Sequence, residues 1–597
     1  MNNGHKMLLA IAAAWAAWLA AQVLLALTLR VEGYDGYWYL SNAWYMAGGA
    51  AFHYEVTKAP LVSLLLLPMM LLRRLGLPEV TAFAGSHLTM LGLTAVLGLM
   101  VVGLLRRRFG IVLAGAAAFA FLGSRIVARY AVFAMSDLAA TAGVLLALLA
   151  VEQAVRRDGW RARLPFAVAV GLSILARYPA GLVLPVGILW DLFLVVRGRG
   201  FAAGIRRLWQ HTVAAGLMGL ALALIHFAVY LVPFGTPGGV VTAFKDMALR
   251  NARLGGISVR GLEPWWEYGP MMILACTLPA VLFMAWGMLA AWRDGGRREA
   301  LHGLWLVVYM VFASLISSHK EARYILPALP SLFLFLLWGL RAAGDMQVTR
   351  RLPARRALAV GFLLAMGILG MVREGRVLSQ PFFRIPAQRL LAEAVDAAAP
   401  APARLVWAGN FYPLVPPRHL FAPSDEYYYV YHVAPHVLEY YLGREIDSLR
   451  GLQMVELDGV LYPLGAGTYL ESGDQVISSV PGVTVTSRLE ATSRPLIMAA
   501  VDRWNLARSS GSDESGYFLD PVDPISARVS ESRLTLSTTP GVTEVVVRRR
   551  SGLTSSLGVH LAEQGSLSLV VPGDWSPAQI DSVQVVRFTP RPLQPAW

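Results

Sequence analysis

The stretch VEGYDGYWYLSNAWYMAGG, residues 31–49, follows the first apolar segment of the chain and precedes Lys58-Ala59-Pro60. One acid, Asp35, stands among tyrosines and tryptophans within it. Tyrosine and tryptophan rings favour the boundary between water and lipid headgroups, because one end of the ring is polar and the other is apolar. A carboxylate held there is poorly solvated and lies close to the lipids. The stretch therefore predicts chemistry on a membrane-borne substrate.

The composition excludes an ordinary soluble protein. The chain is 56% hydrophobic and 15% charged, and apolar runs of about 17–25 residues, each long enough to cross a bilayer, recur over the first ~375 residues. The formal net charge is +14. Because the basic residues lie in short clusters between the apolar runs, the charge favours a membrane protein and argues against a nucleic-acid partner. The single cysteine, Cys276, excludes a disulfide within the chain.

Charge and hydropathy together predict eleven transmembrane spans. The first follows MNNGHK and is too long for a signal peptide, so we expect it to remain uncleaved. The predicted spans are 7–29, 82–105, 110–128, 138–155, 164–176, 179–196, 211–234, 269–292, 301–317, 324–341 and 357–373. Arginine clusters occupy alternate gaps between the spans. The positive-inside rule places these clusters and the N-terminus in the cytoplasm, and the C-terminus outside.

One apolar segment, Leu61–Leu72, is too short to cross a bilayer as a helix. Counting it as a crossing would also move every later arginine cluster to the outside. We therefore expect a juxtamembrane helix over 60–73, within a first outer loop that spans 30–80.

The pattern predicts three regions. A polytopic α-helical membrane domain covers 1–375. A small α/β segment is expected over 376–450, where the strand-like LVWAG (405–409) occurs. A β-rich domain is expected over 451–597, because apolar runs shorten and alternate with polar residues. Both of these C-terminal regions are expected outside the cytoplasm.

Two acids are candidates for catalysis on the predicted outer face. Asp35 is interpreted as a general base or acceptor-positioning carboxylate with a raised pKa, and alternatively as a solvated acid or helix N-cap. Asp137 follows Ser136 in a tight turn between two spans. An acid at a membrane boundary is costly and is therefore a functional candidate, although serine and aspartate also cap helices.

Several cations share the predicted outer face with these acids. Lys58 is either a headgroup-level anchor or a ligand for the phosphate of a lipid-linked donor. Arg177 is a further outer cation.

The run His319-Lys320-Glu321-Ala322-Arg323-Tyr324 is the densest ionisable cluster of the apolar half. It is either a solvated hairpin or a phosphate site, in which Lys320 and Arg323 bind the anion. His319 and Glu321 have the chemistry to donate, accept or bind a cation, so a divalent cation is an alternative that the pattern leaves open.

The loop 235–268 combines aromatic and acidic residues. Trp265 and Glu267 predict a sugar-stacking surface, and the alternative is an aromatic belt that anchors the next span. The sequence contains no P-loop, dinucleotide fingerprint, HExxH or paired CxxC motif.

In combination, these motifs resemble the GT-C glycosyltransferases. The acid in a tyrosine-rich first outer loop, the Lys-x-Pro start of a juxtamembrane helix and the second Asp are most similar to the protein O-mannosyltransferase and aminoarabinose-transferase branch. The run HKEARY is similar to the HKE-x-R motif of the branch that adds mannose in lipid-linked glycan and GPI-anchor assembly. The resemblance covers roughly residues 1–375.

The resemblance implies transfer of a sugar from a polyprenyl-phosphate donor to a lipid, glycan or protein acceptor at the outer face of the cytoplasmic membrane. Asp35 would be the base and Asp137 a second acid. The other residues implied would hold the donor phosphate (Lys58, Lys320, Arg323, Arg177) or support the site (His319, Glu321, Tyr34, Tyr37, Trp265, Glu267).

The chain departs from this family in two places: Gly36 replaces the acid that follows in many relatives, and Ala59 replaces a proline. A transporter or flippase for a lipid-linked or anionic substrate is the alternative function. However, we find neither inverted repeats nor polar residues near the predicted midplane. A receptor would leave the charged outer clusters unexplained.

Overall fold

A computed structural model describes residues 3–49, 54–243, 268–315, 321–345 and 352–378, a few single positions, and the strands and one helix beyond 378. The chain forms two compact units. The first comprises residues 1–49 and 54–385, and the second comprises 50–53 and 386–597.

The first unit is helical. Its helices are α1 (Asn3–Thr28), α2 (Tyr34–Met46), α3 (Leu61–Arg74), α4 (Glu79–Leu122), α5 (Arg125–Tyr130), α6 (Ser136–Ala154), α7 (Leu164–Ala176), α8 (Val183–Arg199), α9 (Phe201–Phe234), α10 (Tyr268–Cys276), α11 (Leu278–Asp294), α12 (Arg297–Leu315), α13 (Leu329–Asp345) and α14 (Leu352–Leu378). Short 3₁₀ turns lie at Trp160–Arg163, Tyr178–Leu182 and Ala322–Ala328.

The protein is a multi-pass membrane protein. Within the described residues, seven helical segments are long and apolar enough to cross a bilayer, or eight if the bent pair α10–α11 forms one span. The predicted count of eleven is therefore not confirmed. The spans predicted at 82–105 and 110–128 begin in the single helix α4, the one at 164–176 is the 13-residue α7, and α12 is not among the seven.

Two positions with positive φ interrupt the long helices. Gly110 lies inside α4 with φ 78° and ψ 166°, a conformation that glycine adopts without a Cβ penalty. Thr277 has φ 79° and joins α10 to α11, which are bent by 111° relative to each other. The predicted span 269–292 runs through Thr277, so this bend was not predicted.

Helix α3 occupies the stretch expected to form the juxtamembrane helix. It has 14 residues, fewer than the about 20 that a crossing helix needs. Val62, Leu66 and Met70 recur every four residues and are fully buried, so one face of the helix packs against α2 and α4. Leu71 and Leu72 lie on the exposed side.

The interior of the bundle contains α6 and α13. Helices α11 and α13 cross closely, because a Cβ at Gly287 would lie 1.7 Å from the carbonyl oxygen of Phe335 and one at Gly339 would lie 2.0 Å from that of Phe283. Small residues at helix crossings are typical of membrane bundles.

The second unit is built mainly of strands. These are β1 (Leu405–Gly409), β2 (Tyr412–Pro413), β3 (His432–Val433), β4 (Ile446–Ser448), β5 (Met454–Leu457), β6 (Val460–Pro463), β7 (Asp474–Val480), β8 (Val483–Arg488), β9 (Leu496–Ala500), β10 (Leu519–Val522), β11 (Ser526–Ser530), β12 (Arg533–Ser537), β13 (Gly541–Arg549), β14 (Thr554–Ala562), β15 (Ser566–Val570), β16 (Ile580–Phe588) and β17 (Arg591–Pro592). A helix, α15 (Pro435–Leu442), lies between β3 and β4.

The largest sheet has the order β4-β1-β9-β8-β7, and β1 pairs in parallel with β4 and β9. Its strands come from both sides of residue 450, so the sheet crosses the boundary predicted there. Antiparallel sheets β10-β16-β13-β14 and β11-β12-β15 follow.

Candidate active site

Asp35 lies in the first turn of α2, two residues after Gly33, which is the N-cap. The N-terminus of a helix carries a partial positive charge that stabilises a carboxylate. Gly33 has extended backbone, so Asp35 does not occupy the capping position that was its alternative interpretation.

Two cations from distant parts of the sequence meet at this carboxylate. The Nζ of Lys58 lies 2.7 Å from one Asp35 oxygen, and the Nη1 of Arg323 lies 2.8 Å from the other. Lys58 is in the turn before α3, whereas Arg323 is in the 3₁₀ turn before α13. The three side chains are partly exposed, with 11–24% of their surface accessible. Asp35 is therefore held between two cations at a surface that solutes can reach.

The charges of Lys58 and Arg323 decide the protonation of Asp35. Burial alone would raise the pKa of Asp35, but the two cations outweigh burial and hold the pKa well below its usual value. Conversely, burial would lower the pKa of Lys58, and Asp35 raises it above its usual value. The raised Asp35 pKa expected from its position beside the membrane is wrong, because that expectation included desolvation and omitted the charges of Lys58 and Arg323.

A second carboxylate extends the cluster. Asp137 lies in the first turn of α6, after Met135 as N-cap, and is 2% exposed. Its side chain forms an ion pair with Arg177 and lies 4.0 Å from Nη1 of Arg323. The guanidinium of Arg177 also lies 4.3 Å from the ring centre of Tyr324, within cation–π distance. Arg323 thus stands between the two candidate acids.

Glu321 and Tyr324 also contact the Arg323 side chain. Arg323 forms an ion pair with Glu321, and its Nη2 donates to Oε1 of Glu321 at 3.0 Å. The hydroxyl of Tyr324 donates to the same oxygen at 3.3 Å. The hydroxyl of Tyr309, on α12, donates to the carbonyl of Tyr324 at 2.7 Å and thereby links the 3₁₀ turn Ala322–Ala328 to α12.

The described part of this cluster is balanced in charge. Three cations, Lys58, Arg177 and Arg323, face three carboxylates. Among the residues that the structure describes, no group of three or more His, Cys, Asp or Glu side chains is arranged to hold a metal ion. An anion that entered here would therefore have to share or take over cations that now bind carboxylates.

Some predicted site residues lie outside the described residues. These are His319, Lys320, Trp265 and Glu267, together with the side chain of Tyr34. Tyr37 is described and fully buried. Its hydroxyl accepts a 3.4 Å hydrogen bond from the backbone N–H of Glu32, so Tyr37 belongs to the packing behind Asp35.

Glu32 and His87 were not predicted as site residues. Both are fully buried, and their side chains are 3.1 Å apart. The sequence contains a signal for this pair, since a histidine inside one predicted span and an acid three residues after another are costly if buried unless they are paired.

Comparison with known proteins identifies the family. Residues 54–386, more than half of the chain, match the model of the Alg9-like mannosyltransferase family. A search of curated protein sequences finds no match to the chain.

Three solved structures resemble the fold. ArnT from Cupriavidus metallidurans in the apo state has a TM-score of 0.47 and 18% identity, covering 73% of this chain and 86% of that chain. The Archaeoglobus fulgidus oligosaccharyltransferase in the apo form has a TM-score of 0.47 and 12% identity, covering 72% and 64%. Arabinosyltransferase EmbB from Mycobacterium smegmatis has a TM-score of 0.38 and 12% identity, covering 97% and 62%.

The family model thus confirms the resemblance inferred from the sequence motifs. The chain belongs to the Alg9-like mannosyltransferase family of GT-C glycosyltransferases.

Proposed function

We propose that this glycosyltransferase moves a sugar from a polyprenyl-phosphate carrier to an acceptor hydroxyl at the outer face of the cytoplasmic membrane. One observation carries the proposal: Asp35 is held between Lys58 and Arg323 at the start of a helix beside the first membrane span. Sugar transfer from a phosphate requires a proton acceptor close to phosphate ligands, and a carboxylate beside two cations supports that assignment.

The donor phosphate binds Lys58 and Arg323. Arginine offers a planar pair of donors that fits two phosphate oxygens, and lysine adds a compact charge. Because both cations now contact Asp35, the phosphate takes over part of their hydrogen bonding when it arrives. The Asp35 carboxylate is then less neutralised, and its pKa rises from the low value of the free protein. Donor binding therefore makes Asp35 a stronger base.

The transfer step follows from this placement. Asp35 accepts the proton of the acceptor hydroxyl as the acceptor oxygen forms a bond to the anomeric carbon. The bond between that carbon and the phosphate oxygen breaks, and its electron pair leaves with the lipid phosphate. Lys58 and Arg323 stabilise the charge that develops on this leaving group. Attack from the side opposite the phosphate inverts the anomeric configuration.

Asp137 and Arg177 form an ion pair next to Arg323. Asp137 lies near Arg323 and pairs with Arg177, so it limits where both guanidinium groups can lie. We assign Asp137 to positioning the acceptor or the cations, and Arg177 to the donor phosphate. Lys320 and His319, in the sequence adjoining Glu321, are proposed to extend the phosphate site, and Trp265 and Glu267 to contact the sugar.

The proposal includes the orientation of the protein in the membrane. Eleven crossings with a cytoplasmic N-terminus place the arginine clusters inside and the Asp35 cluster outside. The C-terminal regions then lie outside, where they are available to an acceptor. A lipid, a glycan and a protein each carry the required hydroxyl.

The test is incubation of the purified protein with a panel of polyprenyl-phosphate sugars and measurement of released lipid phosphate. Transfer predicts release from at least one donor, and more release when an acceptor is added. A protein that moves these donors across vesicle membranes without releasing lipid phosphate would be a flippase, and the proposal would be wrong.

A further inference from the structure

The buried pair Glu32–His87 contacts the two segments that carry the candidate carboxylates Asp35 and Asp137. Glu32 is two residues before the N-terminal end of α2, and His87 is on α4. Both side chains are fully buried, and Oε2 of Glu32 lies 3.1 Å from Nε2 of His87. A buried carboxylate is costly unless its oxygens are satisfied, so the partners of the other oxygen are informative.

The second oxygen of Glu32 links two separate segments. Oε1 accepts a 2.8 Å hydrogen bond from the backbone N–H of Gly33 and a 3.2 Å bond from that of Ala134. Gly33 is two residues before Asp35, and Ala134 is three residues before Asp137. One atom therefore ties the segment that carries the first acid to the segment that carries the second.

His87 and Gly36 limit where the Glu32 carboxylate lies. The Nδ1 of His87 faces the carbonyl of Ala26 at 3.3 Å, so the ring that contacts Glu32 is held at both of its nitrogens. Gly36 packs on the other side: a Cβ there would lie 2.5 Å from Cγ and Oε1 of Glu32. This contact gives a physical reason for glycine at the position after Asp35.

We infer that Glu32 is a positioning residue that sets the distance between Asp35 and Asp137, an inference that rests on the proposed function. The role requires an acceptor oxygen and does not require a charge. In Glu32→Gln the amide oxygen accepts from Gly33 and Ala134, and the NH₂ group donates to His87. Glu32→Ala removes the link.

Kinetics separate positioning from direct catalysis. Glu32→Ala is expected to lower kcat by at least tenfold, because misplacing reacting groups by about 1 Å costs on the order of 100-fold, while the donor KM changes less than about threefold. Glu32→Gln is expected to retain kcat within about threefold. Loss of activity in Glu32→Gln equal to that in Glu32→Ala would overturn the positioning role.

Gly36 provides a second variant. Gly36→Ala pushes Glu32 out of place and is expected to lower kcat about as much as Glu32→Ala. In the Glu32→Ala background the same change no longer meets the Glu32 carboxyl group, so it should add less than about twofold, a coupling that a double-mutant cycle measures. Additive effects of the two substitutions would contradict the inference.

Hydrogen exchange tests the link that Glu32 makes between Gly33 and Ala134 without an activity assay. In Glu32→Ala, amide exchange should increase together in 31–37 and 131–135, whereas Asp158→Asn should change neither. Asp158 is the control, because its carboxylate also forms ion pairs but is 55% exposed and lies between α6 and α7. Unchanged protection of 131–135 would overturn the inference. If the wild type released no lipid phosphate from any donor, the proposed function would fail and exchange would still decide the link.

Discussion

At the scale of single residues, the decisive feature is competition for two cations. In the free protein Asp35 forms ion pairs with Lys58 and Arg323, the two cations that we assign to the donor phosphate. These pairs keep the carboxylate charged and neutralise both cations. The sequence indicated that Asp35 and Lys58 face the same side of the membrane. It could not indicate that Lys58 and Arg323, the latter almost 300 residues away, would together reverse the direction of the Asp35 pKa, because that depends on the 3₁₀ turn Ala322–Ala328 lying against the start of α2.

Lys58→Met tests this electrostatic control. In the wild type the lowered pKa keeps Asp35 ionised down to pH values below its usual ~3.9. Without Lys58, burial is opposed by Arg323 alone, so the Asp35 pKa rises and the base becomes protonated at higher pH. The acid limb of the kcat/KM profile should therefore move to higher pH, by on the order of one unit.

The control for this measurement is Arg199→Met. Arg199 also forms an ion pair, with Asp158 at 3.0 Å, but more than half of its surface is exposed and it lies at the end of α8. Its profile should match that of the wild type. An acid limb in Lys58→Met that stays in place, or moves to lower pH, would show that Lys58 does not govern Asp35.

At the scale of elements, a second buried ion cluster joins α14 to α5. Glu374 is 1% exposed and forms ion pairs with Arg125 and with Arg129, the latter at 3.2 Å. Helix α5 precedes the segment that carries Ala134 and Asp137. The Glu374 cluster therefore connects α14 to the part of the chain that leads into the candidate site.

Glu374→Gln is expected to destabilise the protein strongly. It removes the negative charge that faces two buried guanidinium groups, and breaking a buried pair in this way costs roughly 3–5 kcal/mol. Thermal unfolding in detergent should therefore shift to a clearly lower temperature than in Asp158→Asn, because the Asp158 carboxylate is 55% exposed. Equal unfolding temperatures for the two variants would contradict a stabilising role for the Glu374 cluster.

The elements show how far the sequence was informative. Hydropathy located most of the helices, and the HKEARY run marked the turn that carries Arg323. The breaks were harder to predict: the chain bends by 111° at Thr277, and Pro279, which marks the start of the next helix, lies inside an otherwise apolar run. Glu32 was overlooked because Asp35 lies three residues away in a richer motif, and its partners, His87 and Ala134, are distant in sequence.

At the scale of the whole molecule, the proposed transfer at the outer face depends on which side of the membrane the Asp35 cluster faces. Cysteine labelling tests this in a Cys276→Ser background, since Cys276 is the single native cysteine and is buried. Leu75→Cys lies in the predicted outer loop and Asp158→Cys in a predicted inner one, and both positions are exposed. A membrane-impermeant maleimide added to intact cells should label only position 75.

The same experiment contains its own control, because opening the cells should make position 158 react as well. Labelling of position 158 in intact cells, with position 75 protected, would invert the topology and place the site in the cytoplasm.

The central claim is that Asp35 is the base for sugar transfer from a lipid phosphate bound by Lys58 and Arg323. The most direct test compares lipid-phosphate release by the wild type, Asp35→Asn and the exposed control Asp158→Asn, with the donor that the panel identifies. We predict that Asp35→Asn folds, inserts and binds the donor but releases no lipid phosphate above background, whereas Asp158→Asn matches the wild type. Release by Asp35→Asn at the wild-type rate would contradict the claim.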